Sequence, residues 1–244
     1  MKIARGTVGE RVLLAVTVLV PLLLAPLPGG RFLLPLVAPL TCYPGFLARV
    51  RERDHFAAWR FAMLWAALLS AGVILLTALW PDVAARGVWR GEDYRREMFD
   101  WIATGQGREN DWRQFLPLHL AHLGVFLALT WLSAGYLGLV LGAALLDYMN
   151  YFVASYAQAS GHPLAGLIVA WVPWSLLRVM AFVLLGSLFA RPLIERRLWP
   201  FARWEVRLMA LAAAAWLADL LLKATMAPAY GRYLRSLVSG GLLS

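Results

Sequence analysis

The sequence predicts an all-α fold, a polytopic transmembrane helix bundle, on three observations. Of its 244 residues, 61% are hydrophobic and only 15% charged, and the mean hydropathy is +0.65; a soluble domain is nearer half apolar and a quarter charged. Apolar runs close to the length needed to cross a bilayer, about 20 residues, recur along the chain. Between them lie stretches rich in Arg. The composition excludes a water-soluble globule, a disordered tail and a collagen-like fibre, and 1–244 reads as a single transmembrane domain.

The first element is an apolar stretch after a basic start of Lys2, Arg5 and Arg11. That order resembles a secretory signal, but no small-x-small cleavage site follows, so a retained segment is expected. Pro26, Pro28, Gly29, Gly30, Pro35 and Pro39 interrupt residues 12–40, which forbids one straight helix. The expectation is a Pro-broken hairpin of two half-length segments, entering and leaving on one side. Residues 41–60 read as a basic connection. The first full span is 61–80, ended by Trp80-Pro81-Asp82.

Residues 81–115 form the main polar stretch, with six Arg and seven acids. Within it Tyr94, Met98, Trp101 and Ile102 recur at helical spacing, with charges opposite. This predicts an interfacial amphipathic helix at about 93–103, lying on the membrane surface, against a partner, or capping the bundle. Residues 115–157 are too long for one crossing. Ser133-Ala134-Gly135 is the natural break, giving spans 116–133 and 135–157. A turn at Gly161-His162-Pro163 leads into a span 164–190 containing Pro173, and 206–226 is the last. The count is five full spans plus the hairpin.

Charge orients the bundle. The net charge is +9, carried by Arg in 1–11, 49–60 and 191–207, so these stretches should face the cytoplasm and the balanced stretch 81–115 should face out. A multi-pass protein of a bacterial-type inner membrane with a cytoplasmic N-terminus is expected. The basic excess is topology, not a nucleic-acid footprint, and no nucleic-acid partner is expected. Trp59, Trp80, Trp112, Trp199 and Trp204 flank apolar runs as interfacial anchors.

Ionisable residues at membrane depth are costly and mark candidate sites. Asp147 and Asn150 share a face of the 135–157 helix with Tyr136, Ala143 and Ala154. Gly135 marks that helix's start, and Gly138 and Gly142 form a small-xxx-small pair for close helix packing. Arg178 sits near the middle of 164–190. Counted from a shared outer end, Asp147 and Arg178 differ in depth by roughly 6 Å, so an Asp147–Arg178 ion pair is expected, with Trp174 stacked on the guanidinium. His119 and His122, at i and i+3, share a face near an outer end. Asp219 and Lys223, at i and i+4, read as a self-contained pair with Lys223 snorkelling outward.

Two histidines fall short of the three or four ligands a metal needs. Asp111, Asp147, Asn150 and His162 could add to them, but neither metal nor haem is expected. The lone Cys42 permits no intramolecular disulfide or cysteine cluster, and it lies beside prolines without a nearby helix-borne histidine. The chain carries no Gly-x-Ser-x-Gly elbow, His-Glu-x-x-His or Walker loop, and no glutamate pair on a span. No catalytic residue is assigned.

Tyr151-Phe152-Val153, Gly161-His162-Pro163-Leu164-Ala165-Gly166, Val172-Pro173-Trp174-Ser175 and Ala181 to Gly186, with the glycine-rich Gly135–Gly142 helix before them, resemble the stage II sporulation protein M family of polytopic membrane proteins. The resemblance covers residues 135–190. Trp174-Ser175 stands where that family has His-Gly, and Arg178 where it has Glu. The resemblance implies a non-enzymatic membrane component working in a larger assembly, and transfers no catalytic residue.

Two functions are therefore expected as alternatives. One is a non-catalytic integral membrane subunit, scaffold or permease-like element, with lipid, other membrane proteins or a second copy as partners. The other is an intramembrane enzyme or small-molecule transporter, with His119, His122, Asp147, Asn150 and Arg178 converging on an outward-facing polar cavity.

Overall fold

A computed structural model describes residues 8–199 and 201–242, with side chains to Val238; the basic residues Lys2 and Arg5 lie outside them. The described residues form helices joined by short turns and loops, with no strand among them. Five helical segments are long and apolar enough to cross a membrane: His55–Leu79, Trp112–Leu132, Tyr136–Ala159, Pro173–Glu195 and Arg203–Val238, with the bent pair Gly30–Thr41 and Tyr43–Arg51 as a possible sixth.

The N-terminal hairpin is longer than 12–40. Helices α1 (Val8–Thr17) and α2 (Leu19–Leu24) run one way; α3 (Gly30–Val37), a 3-10 turn and α4 (Tyr43–Arg51) run back. Arg49 Nη1 donates to Glu10 Oε1 at 2.5 Å, closing the base. At the tip, Ala25 presses on Gly87 so closely that a Cβ there would lie 2.5 Å from the Ala25 Cβ. The two legs therefore run the length of the bundle and are not half-depth segments. Residues 43–51, read from sequence as a basic connection, are helical: Pro44 suits a first turn, and Gly45 admits the Phe61 ring.

Span α5 (His55–Leu79) starts six residues before the expected 61, because Asp54 caps it by accepting from Ala57 N at 3.0 Å. Its Gly72 admits Val18 and Pro21 of the hairpin. Pro81 opens the short α6 (Pro81–Gly87). Helix α7 (Gly91–Thr104) is neither bare on a membrane surface nor held for another protein. Its Met98, Trp101 and Ile102 are buried, clustered with Phe152 and Tyr156 of α9 (Tyr136–Ala159) and Ala227 and Leu234 of α13 (Arg203–Leu242). Arg235 Nε also donates to the Ile102 carbonyl at 2.6 Å. The amphipathic face is spent on capping the bundle's own end.

Asp111 caps α8 (Trp112–Leu132) by accepting from Arg113 N at 2.9 Å. Ala134 and Gly135, both at positive φ, reverse the chain into α9. The expected single helix 164–190 is instead two, α10 (Pro163–Ala170) and α11 (Pro173–Phe189). Val172 is extended, at φ −62° and ψ 130°. Proline disfavours a helical predecessor, and its missing N–H costs nothing at a helix start, so Pro173 begins a helix where the sequence reading placed it inside one. Helix α12 (Arg191–Glu195) follows, and α13 runs for 40 residues, well beyond 206–226, because its last turns pack on α7 and α10.

Candidate functional site

A cavity of about 150 Å³ lies between α7, α8, α9, α11 and α13. On α8 its lining runs from Phe115 to Thr130, about 22 Å at 1.5 Å per residue. So modest a volume over that length describes a narrow slot. Its two ends differ in chemistry.

The end beneath α7 is charged. Arg178 makes a bidentate pair with Asp219, Nε to Oδ2 and Nη2 to Oδ1, both at 3.0 Å. Lys223 Nζ donates to Glu109 Oε1 at 2.7 Å and sits 4.8 Å above the Phe115 ring. Arg108 Nε lies 3.4 Å from Glu97 Oε1. Each of these three cations faces one carboxylate; Arg90, at the mouth, is exposed and forms no ion pair among the described residues, so it leaves the lining one uncompensated positive charge. Tyr94 lies against Tyr148, ring centroids 4.7 Å apart and planes tilted by 47°, and burial holds its phenol well above the ordinary value. Toward the other end the walls are Phe126, Leu145, Val179, Phe182 and Gly186, closing on Phe46, Trp65 and Gly135.

The glycines of α9 divide by what they face. A Cβ on Gly138 would lie 2.1 Å from Thr130 Oγ1, so this position serves close packing of α8 on α9. Gly142 has no atom within 4 Å of such a Cβ and lines the cavity instead; its expected packing role is corrected. Gly135 takes φ +96° at the turn, against Phe46.

Of the five residues expected to converge, His119, His122 and Arg178 line the cavity, and Asp147 and Asn150 do not. At 100° per residue Asp147 lies about 140° round α9 from Gly142, and Asn150 about 80°. Asn150 Nδ2 donates to Ser70 Oγ of α5 at 2.9 Å. Asp147 is 1% exposed and neither carboxylate oxygen has a partner among the described residues. The expected Asp147–Arg178 pair is therefore absent: equal depth along two helices says nothing of azimuth, and Arg178 meets α13, along which α11 packs. The expected Asp219–Lys223 pair is replaced because partners from other elements reach both residues, Arg178 of α11 at Asp219 and Glu109 of the loop after α7 at Lys223. Trp174 meets Tyr230 edge-on at 5.5 Å and not Arg178.

His119 is 4% exposed. Its Nδ1–H donates to the Phe115 carbonyl at 2.8 Å, which leaves Nε2 as an acceptor; it has no partner among the described residues. His119 and His122 gather no third ligand, and no group of three or more His, Cys, Asp or Glu side chains among the described residues is placed to hold a metal.

Sequence reasoning missed Glu97, Arg108 and Glu109, which it counted only among the charges of the polar stretch 81–115. The signal available was Lys223: an ammonium well inside an apolar run requires an acceptor from another element. A second cluster was also missed. His55 Nε2 lies 2.9 Å from Glu205 Oε1 and Nδ1 lies 3.2 Å from Ser187 Oγ. Arg191 pairs with Glu205 and, at 2.7 Å, with Glu195, which Arg53 meets at 3.0 Å. The Ser–His–carboxylate order imitates a nucleophilic triad. However, the Ser187 hydroxyl donates to the Leu184 carbonyl at 2.8 Å, and Ser187, His55 and Glu205 are at most 1% exposed. With no route for a substrate, this cluster clamps α5, α11, α12 and α13 together.

Comparison with family models, curated proteins and solved structures finds no match to this chain.

Proposed function

We propose that this chain is a non-catalytic, multi-pass membrane component that binds a single-chain amphiphile inside its helix bundle. One observation carries the reading: the slot along α8 is narrow, about 22 Å long, charged at the α7 end, and apolar toward Gly135. A chain laid along it would bury methylenes at about 0.8 kcal/mol each while its head met the polar end. Asp147 and Asn150 lie outside the slot, which removes two of the groups an enzyme or ion-coupled transporter reading of that cavity would use.

The test is retention of a long-chain probe, oleyl alcohol, by protein in lipid nanodiscs, read by native mass spectrometry. Wild-type protein should retain one chain, and Gly142→Leu, which fills the slot from a position with room for it, should lose it.

Two further expectations belong to this reading. The Arg-rich end at α4 and α12 faces the cytoplasm of a bacterial-type inner membrane, and the α7 end faces out. Cys42 is buried, so a cysteine placed at exposed Gln106 can report orientation with an impermeant maleimide. The resemblance of residues 135–190 to the stage II sporulation protein M family would set the component in a larger assembly, which mass spectrometry of gently solubilised membranes tests through co-purifying proteins.

A further inference from the structure

We infer that the amphiphile held in the slot has a neutral head carrying a hydroxyl group, and that this hydroxyl donates its hydrogen to His119 Nε2. The inference rests on the reading of the slot as an amphiphile site and adds the chemistry of the head.

Three observations converge on it. First, the Phe115 carbonyl takes the Nδ1 hydrogen. Nε2 therefore presents a lone pair, which calls for a donor and cannot serve an acceptor such as an ester or ether oxygen. Second, Nε2 is a buried polar atom without a partner in a ring that is itself only 4% exposed. Such an atom has lost its water and gained nothing in return, and a ligand hydroxyl would restore the bond. Third, three of the four cations lining the polar end are already answered, and the fourth, Arg90, is exposed at the mouth. Arg178 is bidentate to Asp219, Lys223 is bonded to Glu109, and Arg108 faces Glu97. A phosphate or carboxylate head seated beside His119 would have to displace a protein carboxylate and leave it buried with its own charge; only one drawn out to Arg90 at the mouth would not, and tightest binding of oleate would report it. A neutral head leaves all three pairs intact. Below His119 the lining becomes apolar through Phe126 and Phe182 and has room at Gly142, so one chain continues the head without a branch.

The test uses three probes of one chain length on the full protein in nanodiscs: oleyl alcohol, its methyl ether, and oleate. Affinities are read by displacement of a fluorescent long-chain alcohol. The alcohol is expected to bind about tenfold tighter than the ether, the value of one hydrogen bond to a buried acceptor, and tighter than oleate. In His119→Phe the alcohol and ether should bind alike, at the ether's wild-type affinity, because the ring volume is kept and only the acceptor is lost. If alcohol and ether bind equally to wild-type protein, and both are lost in Gly142→Leu, the head assignment is overturned while the slot stands. Tightest binding of oleate would likewise overturn it. Binding of none of the probes would remove the slot reading and this inference together.

Discussion

At the α12 end of the bundle, Arg191, Glu205, Glu195, His55 and Ser187 interlock with side-chain exposures of 1% for Arg191 and 0% for Glu205. At the α7 end, Arg178 with Asp219 and Lys223 with Glu109 form pairs of the same chemistry, yet they border a cavity, and Arg178 keeps 22% of its side chain accessible. The closed cluster spends every group on another group of the chain, and nothing remains to meet a ligand. The bordering pairs leave His119 Nε2 unanswered beside the slot, as Thr130 Oγ1 is toward its other end. Buried charge in this bundle therefore marks a clamp at one end and the rim of a site at the other. What separates them is the presence of space and an unsatisfied atom, not the residue types.

The comparison breaks most readily at the clamp. Arg191→Ala should destabilise the protein by about 3–5 kcal/mol, the cost of leaving a buried partner charge uncompensated, seen as a lowered thermal transition in detergent. A loss no larger than that of an exposed pair would mean the cluster is not closed. Asp147 supplies a third case, a buried carboxyl with neither clamp nor slot. Asp147→Leu should stabilise by about 2 kcal/mol, since it removes an unsatisfied polar group; a destabilised variant would show that Asp147 has a partner that acts only in the membrane. Asp219→Ala should cost about 1–2 kcal/mol, less than the clamp, because Arg178 borders a cavity large enough for water.

Smaller effects sharpen the picture. Gly142→Ala should gain up to about 1 kcal/mol from helix propensity, whereas Gly138→Ala should lose stability by driving a methyl into Thr130. The smallest effect concerns the α7 cap. Burial alone would lift the Glu92 carboxyl, but hydrogen bonds from the Tyr151 hydroxyl and Arg95 outweigh it and hold Glu92 below its ordinary value of 4.5. A depressed folded value means this support is complete above 4.5 and is lost as pH falls through the folded value. Glu92 is over a third exposed, so the effect is modest. Hydrogen exchange of residues 91–104 should rise slightly below pH 4.5 and stay flat above it.

The fold was largely legible because its punctuation is covalent. Pro81, the Ser133-Gly135 turn and Gly161-His162-Pro163 stop helices by backbone geometry whatever surrounds them. Pro173 carries the same information, but apolar residues continue on both sides, so the sequence predicts one helix that contains it. The stretch 43–51 was misread because its charge suggested solvent, while its helix is stabilised by packing on α5 and by the Arg49–Glu10 bond, neither visible locally. The site was legible in part. His119, His122 and Arg178 stood out as costly residues in apolar runs. Which carboxylate each cation would meet depends on the rotation of one helix about its axis relative to another, and spacing within a single helix cannot supply that. Glu109 reaches Lys223 only because the loop after α7 folds over the bundle end.

The most direct measurement is the occupancy of a long-chain alcohol on wild-type and Gly142→Leu protein in nanodiscs, with the thermal transition recorded on the same samples. A wild-type protein that holds one chain, beside a Gly142→Leu variant that holds none yet melts no lower, is the expected result. A Gly142→Leu variant that keeps the chain at wild-type occupancy would contradict the assignment of the slot along α8 as the binding site.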